Sequence, residues 1–142
     1  IPDRRVQDEK VERVILCSGK VYFDIINELE SNPNEKVAVI RVEQLYPFPR
    51  KLLIENLDKY ANCKVFIWCQ EEPINQGAWY QIRHHLKYCI KNHQHGNKFL
   101  HFAGRHQSPS PAVGSSYAHT KQQNQLVHEA INGERGSNID AE

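Results

Sequence analysis

The sequence is poor in the features that most quickly betray a function. It has no Cys-x-x-Cys pair, no Gly-x-Ser-x-Gly elbow, and no apolar run near the roughly 20 residues a membrane helix needs. Gly104 and Gly114 stand too far apart to cradle a phosphate between them, so a phosphate-binding loop is excluded. No Ser-His-Asp ordering can be assembled either. Charge of one sign is also missing. The 18 Lys and Arg against 17 Asp and Glu leave a net charge of +1, and cations alternate with acids from Arg4 to Arg135. A nucleic-acid surface needs a concentrated basic stripe, which argues against that class.

Cysteine is present but unpaired in pattern. Cys17, Cys69 and Cys89 sit inside apolar periodic segments and Cys63 lies between two of them. There Cys behaves as a small buried hydrophobe, so a disulfide framework is not expected. That usage suits a reducing compartment, cytoplasm or an organelle matrix. These residues include no starting Met and no charged-then-apolar leader, so any targeting segment is expected outside them.

What remains is ordinary and informative. A chain of 142 residues, 39% hydrophobic and 25% charged, is long enough for one domain with a real core. Residues 1–12 are polar and read as a linker from something upstream. Residues 13–131 read as one domain, and 132–142 as a flexible polar tail. Four short apolar-rich runs, Val14–Cys17, Val37–Val42, Val65–Cys69 and Phe99–Ala103, read as strands, the first and third with the continuous hydrophobicity of strands buried in the sheet.

Between the runs lie segments of helical period. Tyr22, Ile25, Ile26 and Leu29 mark the first, with Ser18 as its expected cap and Ser31-Asn32-Pro33-Asn34 as its stop. Leu53, Leu57 and Tyr60 mark a short second helix, and Trp79, Ile82, Leu86 and Ile90 a longer third. A final helix is expected from Tyr117 to Ile131, after a Ser/Pro/Gly-rich loop from Gly104 to Ser116. Strands alternating with helices predict a mostly parallel sheet covered on both sides, a three-layer α/β/α domain.

Candidate chemistry is sparse. Glu71 and Glu72 follow the third strand, where α/β sheets place ligands, and paired carboxylates suit acid–base work. Neighbours on an extended chain point opposite ways, so both cannot face one substrate. The simpler expectation is that one closes the loop while the other is solvated. His85, Cys89 and His93 recur every fourth residue and offer three zinc ligands, with His84 and His95 nearby. An independent metal-binding module is therefore one alternative. Trp68, Trp79 and Tyr80 are expected in a core or interface rather than under nucleic-acid bases. From residue chemistry alone no active site is evident.

Three longer segments carry a resemblance. They are Arg41-Val42-Glu43-Gln44-Leu45-Tyr46-Pro47-Phe48-Pro49, then Trp68-Cys69-Gln70-Glu71-Glu72-Pro73-Ile74-Asn75-Gln76-Gly77-Ala78-Trp79, then Ala103 to Gly114. With Ser18-Gly19-Lys20 before them and His119-x-x-Gln122-Gln123-x-x-Leu126 behind, the chain from Val14 to Ile131 resembles one known domain. That domain is the carboxyl end of the thiamine-diphosphate-dependent decarboxylase of 2-oxoglutarate dehydrogenase. The Gln70-to-Trp79 block speaks against the equivalent domain of a pyruvate dehydrogenase or transketolase, the other alternative. Gln122 stands at a position commonly acidic in that family.

The resemblance implies a transketolase C-terminal-like sheet with one antiparallel strand, and no catalytic residue in this region. Thiamine diphosphate and magnesium would be bound by upstream domains across a homodimer. The whole enzyme would decarboxylate 2-oxoglutarate in the tricarboxylic acid cycle and pass the succinyl group to a lipoyl succinyltransferase. This domain would buttress the dimer and shape the approach to the active site. Glu71, Glu72, Trp79 and Arg105 would be structural or interface residues. Arg105 would pair with a carboxylate or hold the Ser/Pro loop. Some family members bind acetyl-CoA as an effector, which would place Gln44, Arg50 and Lys51 at such a site.

Overall fold

The computed structural model describes residues 5–92, 98–105 and 116–133. Four strands, β1 (Arg13–Cys17), β2 (Val37–Arg41), β3 (Val65–Cys69) and β4 (Phe99–Ala103), lie in the order β2-β1-β3-β4. All four described strands are parallel, with Ile15 opposite Val39 on one side and Ile67 on the other. The antiparallel strand implied by the resemblance is not among them.

The helices are α1 (Val21–Ser31), α2 (Arg50–Leu57), α3 (Trp79–Lys91) and α4 (Ser116–Asn132). Because side chains alternate along a strand, each strand feeds two cores. Val14, Leu16, Ala38, Ile40, Phe66, Trp68 and Leu100 point to the side covered by α2 and α3. Ile15, Cys17, Val37, Val39, Ile67 and Cys69 point to the side covered by α1 and α4. Each large side chain so buried stabilises the fold by roughly 1.5–3 kcal/mol, which is why the runs need no polar alternation. All four cysteines are buried and free.

Two expectations need correction. Ser18 does not cap α1. Lys20 stands at the cap position without a side-chain bond, because Gly19, at φ +77°, turns the chain between Ser18 and the helix. Residues 1–12 are not all linker. Val11 is fully buried, Val6 packs against the same core, and a short 3-10 turn spans Asp8–Lys10. A lone valine in a charged stretch has no period to betray it. The anchoring is extended by Asn62, whose amide donates to the Glu9 carbonyl at 2.9 Å. The Ser/Pro loop from 106 to 115 and the tail from 134 onward lie outside the described residues.

Arg13, the first residue of β1, closes the other end of the chain. Its guanidinium donates to the carbonyls of Ala130 at 3.3 Å and Asn132 at 3.4 Å, acceptors that the last turn of α4 leaves unmatched.

Candidate functional site at the carboxyl end of the sheet

In a parallel sheet the strands' carboxyl ends and the loops beyond them are the usual ligand site. Here Cys17, Cys69 and Ala103 end β1, β3 and β4 in one register row. The residues just past them are Gly19, Lys20, Gln70, Glu71, Glu72 and Arg105.

Gln70 organises this end. Its Oε1 accepts from the Trp68 indole Nε1 at 2.9 Å and from the Trp79 backbone N–H at 3.2 Å. Its amide nitrogen faces the carbonyls of Glu72, Pro73 and Gln76 at 3.2, 2.9 and 2.7 Å. One buried side chain therefore saturates its hydrogen-bonding capacity, shapes the 72–77 turn, and caps the amino end of α3, which has no cap of its own. Gly77 is required by that turn. It sits at φ +68°, and a Cβ there would come within 2.5 Å of Glu72 Oε2. The sequence shows Gln70 only as a polar residue ending an apolar run, so its role was not anticipated.

Glu71 and Glu72 do diverge. The Glu72 carboxylate lies beside Gly77 over the turn, whereas Glu71 points toward α4. There Gln123 bridges two acids and a cation. Its Nε2 donates to Asp24 Oδ2 at 2.8 Å and to Glu71 Oε1 at 2.9 Å, and its Oε1 accepts from Arg105 Nη2 at 2.6 Å. The amide dipole is thus aligned between a guanidinium and two carboxylates. Arg105 reaches the acids through Gln123 and also lies against the His119 ring nitrogens at 2.9 and 3.2 Å. Lys20 adds a looser pair to Glu71 at 3.8 Å. Asp24 and Gln123 were not anticipated as partners, since nothing in a one-dimensional pattern joins them.

Trp79, expected to anchor an interface, is fully buried within the domain and tilts against Phe102 with ring centroids 5.5 Å apart. Its Nε1 has no hydrogen-bond partner among the described residues.

The Gln44 to Lys51 segment lies elsewhere, on the α2–α3 side. The Gln44 amide donates to the Pro47 carbonyl at 2.9 Å, holding its own turn. Arg50 Nε donates to His85 Nδ1 at 2.8 Å, and its guanidinium lies 4.3 Å from the centre of the Tyr88 ring. Lys51 is exposed on a shallow hollow of about 620 Å³ formed with Phe48, Pro49, Leu52 and Glu55.

The candidate zinc stripe is occupied differently. His85 is stacked on Phe48 at 4.9 Å, and its Nδ1 faces the Arg50 guanidinium. Burial, then His84 and Arg50, hold its imidazole below the ordinary value. The Cys89 thiol donates to the Arg50 carbonyl at 3.6 Å, and burial pushes its pKa up to about 11. Among the described residues no three His, Cys, Asp or Glu side chains converge as metal ligands; His93 and His95 lie outside them. Burial likewise pushes the Cys17 and Cys63 thiols up to about 12, the environment of inert rather than nucleophilic cysteines.

A family model described as 2-oxoglutarate dehydrogenase C-terminal matches residues 1–131. The 2-oxoglutarate dehydrogenase E1 component of Azotobacter vinelandii is 46% identical over 123 residues, 87% of this chain and 13% of that protein. The Haemophilus influenzae protein of the same name is 48% identical over 121 residues, 85% of this chain and 12% of its own. That of Rickettsia felis is 50% identical over 127 residues, 89% and 13% respectively. None of the three is a pyruvate dehydrogenase or a transketolase. The chain spans about one eighth of the length of these curated relatives.

Proposed function

Because this chain belongs to the 2-oxoglutarate dehydrogenase C-terminal family, we propose that it serves the E1 component as a scaffold domain without catalytic groups of its own. In that reading the whole enzyme is an oxidoreductase of the tricarboxylic acid cycle. It decarboxylates 2-oxoglutarate and hands the succinyl group to a lipoyl succinyltransferase. This domain supports the homodimer and its upstream domains. The observation that carries the proposal is the closure of the sheet's carboxyl end by the chain's own polar groups.

Thiamine diphosphate and magnesium do not fit the donor set at that end. Asp24 and Glu71 are already turned toward the Gln123 amide protons, and the Glu72 carboxylate lies apart from them over the 72–77 turn. Gly77 and Gly104, the glycines at this end that a diphosphate cradle would need, are closed in by the Glu72 carboxylate and the Phe102 ring. This supports the reading that both groups are held by other parts of the enzyme. The four buried free cysteines support a reducing compartment, bacterial cytoplasm or mitochondrial matrix.

The purified chain, given thiamine diphosphate, magnesium, 2-oxoglutarate and an artificial electron acceptor, is expected to show no turnover and no retained cofactor. Turnover or stoichiometric cofactor retention by the chain alone overturns the proposal. An acetyl-CoA effector role for Gln44, Arg50 and Lys51 is a separate proposal, supported by the hollow beside Lys51. Calorimetry on full-length E1 tests it, and equal affinity in Arg50→Ala/Lys51→Ala removes it.

A further inference from the structure

A net charge of +1 conceals two helical layers of opposite sign. The α2–α3 layer carries Arg50, Lys51, Arg83, Lys87 and Lys91 against the single acid Glu55. The α1–α4 layer carries Asp24, Glu28, Glu30 and Glu129 against the single lysine Lys121. The sheet lies between them, so the domain is strongly polarised from one side to the other.

On α3 the charge is ordered. Arg83, Lys87 and Lys91 recur every fourth residue, and no acid occurs between Trp79 and Lys91. Beside them Tyr80, His84 and Tyr88 recur at the same interval, all three exposed. The two tyrosines are 54% and 46% accessible, so both rings are open to a partner on this side. Cations and rings form one surface. Arg83 lies 5.7 Å from the Tyr80 ring centre and Arg50 lies 4.3 Å from that of Tyr88. Tyr and Arg are the residue types that dominate binding energy at protein interfaces.

The spacing selects the partner. Four residues of helix rise about 6 Å, so the α3 cations stand about 6 Å apart along the axis. Duplex nucleic acid presents a phosphate about every 1.7 Å, and the acidic layer opposite would repel a polymer that wrapped the domain. A second helix presents side chains at the same one-turn interval. We propose that the α2–α3 face is a docking surface for an acidic amphipathic helix of a partner polypeptide. Its carboxylates would meet Arg83, Lys87 and Lys91, and its apolar stripe would lie on Tyr80, His84 and Tyr88. The rings then supply affinity, and the cations supply orientation and salt-sensitive encounter.

The test uses the whole chain, isotopically labelled. It is titrated with a synthetic helical peptide carrying glutamate at every fourth position beside a leucine stripe. Amide shifts are expected to concentrate on α2 and α3, and affinity to fall as salt is raised. Arg83→Glu/Lys87→Glu is expected to weaken binding about tenfold or more, and Tyr80→Ala/Tyr88→Ala comparably. Glu28→Lys/Glu30→Lys, on the opposite layer, is expected to leave it unweakened. All these positions lie outside the buried core, and an unchanged amide spectrum shows that each variant is folded. Equal binding of the same peptide with lysine for glutamate overturns the proposal. So does indifference to the α3 charge reversal, or polyuridylate binding on this face in preference to the peptide.

Discussion

The two sides of the sheet are fastened by different physics. Under α2 and α3 lie the large rings, Tyr60, Phe66, Trp68 and Trp79, packed against aliphatic side chains and held in place by the buried amide of Gln70. Under α1 and α4 the core is aliphatic with two cysteines, and the join is completed at its rim by the half-buried Gln123 bridge. The first side depends on shape and on saturated hydrogen bonds away from water. The second depends in part on charge at the solvent boundary. Burial makes an interaction unforgiving, whereas exposure makes it adjustable.

The contrast is sharpest in a pair of amide removals. Gln70→Ala strands two donors, the Trp68 indole N–H and the Trp79 backbone N–H. It also leaves three turn carbonyls to find new donors. A loss on the order of 3 kcal/mol in urea unfolding is expected, nearly independent of salt. Gln123→Ala disconnects Arg105 from Asp24 and Glu71 where water can enter. Its expected cost is about 1 kcal/mol, and it should change with ionic strength. If the second variant costs as much as the first, the distinction between the two sides fails.

The smallest effect is a proton. Arg50 Nε–H points at His85 Nδ1, so that nitrogen must accept and the ring must be neutral with its proton on Nε2. The folded-state value therefore lies below the unfolded one near 6.5, in agreement with burial and with His84 and Arg50 nearby. The unfolded chain then binds the proton more readily. Stability from this contact is complete above about pH 6.5 and declines as pH falls below it toward the folded value. Urea midpoints compared at neutral and mildly acidic pH should drop less in His85→Gln, which keeps an acceptor but does not titrate. An equal drop in both proteins would assign the acid sensitivity to other groups.

What the sequence disclosed follows from the range of each interaction. β1, β2 and β3 were legible because burial on both faces writes an uninterrupted apolar run, and α3 was legible from Trp79, Ile82, Leu86 and Ile90. The divergence of Glu71 and Glu72 followed from the alternation of an extended chain. Gln123 and Asp24 are 99 residues apart, and only the closed sheet brings them together. Gln70 escaped notice for a different reason. Its partners are mostly local, but all except the Trp68 indole are backbone groups, which every sequence has and no pattern marks. Ser18 misled because a serine before a helix is a sound cap signal unless a left-handed glycine intervenes. The polarity of the two layers was hidden by summing charge along the chain rather than across the sheet.

The Arg13 clasp has a mechanical consequence. Because the guanidinium at the entry of β1 holds the carbonyls that close α4, the way into the domain and the way out of it share one corner. Losing this one side chain would therefore loosen the start of the sheet and the end of the last helix together.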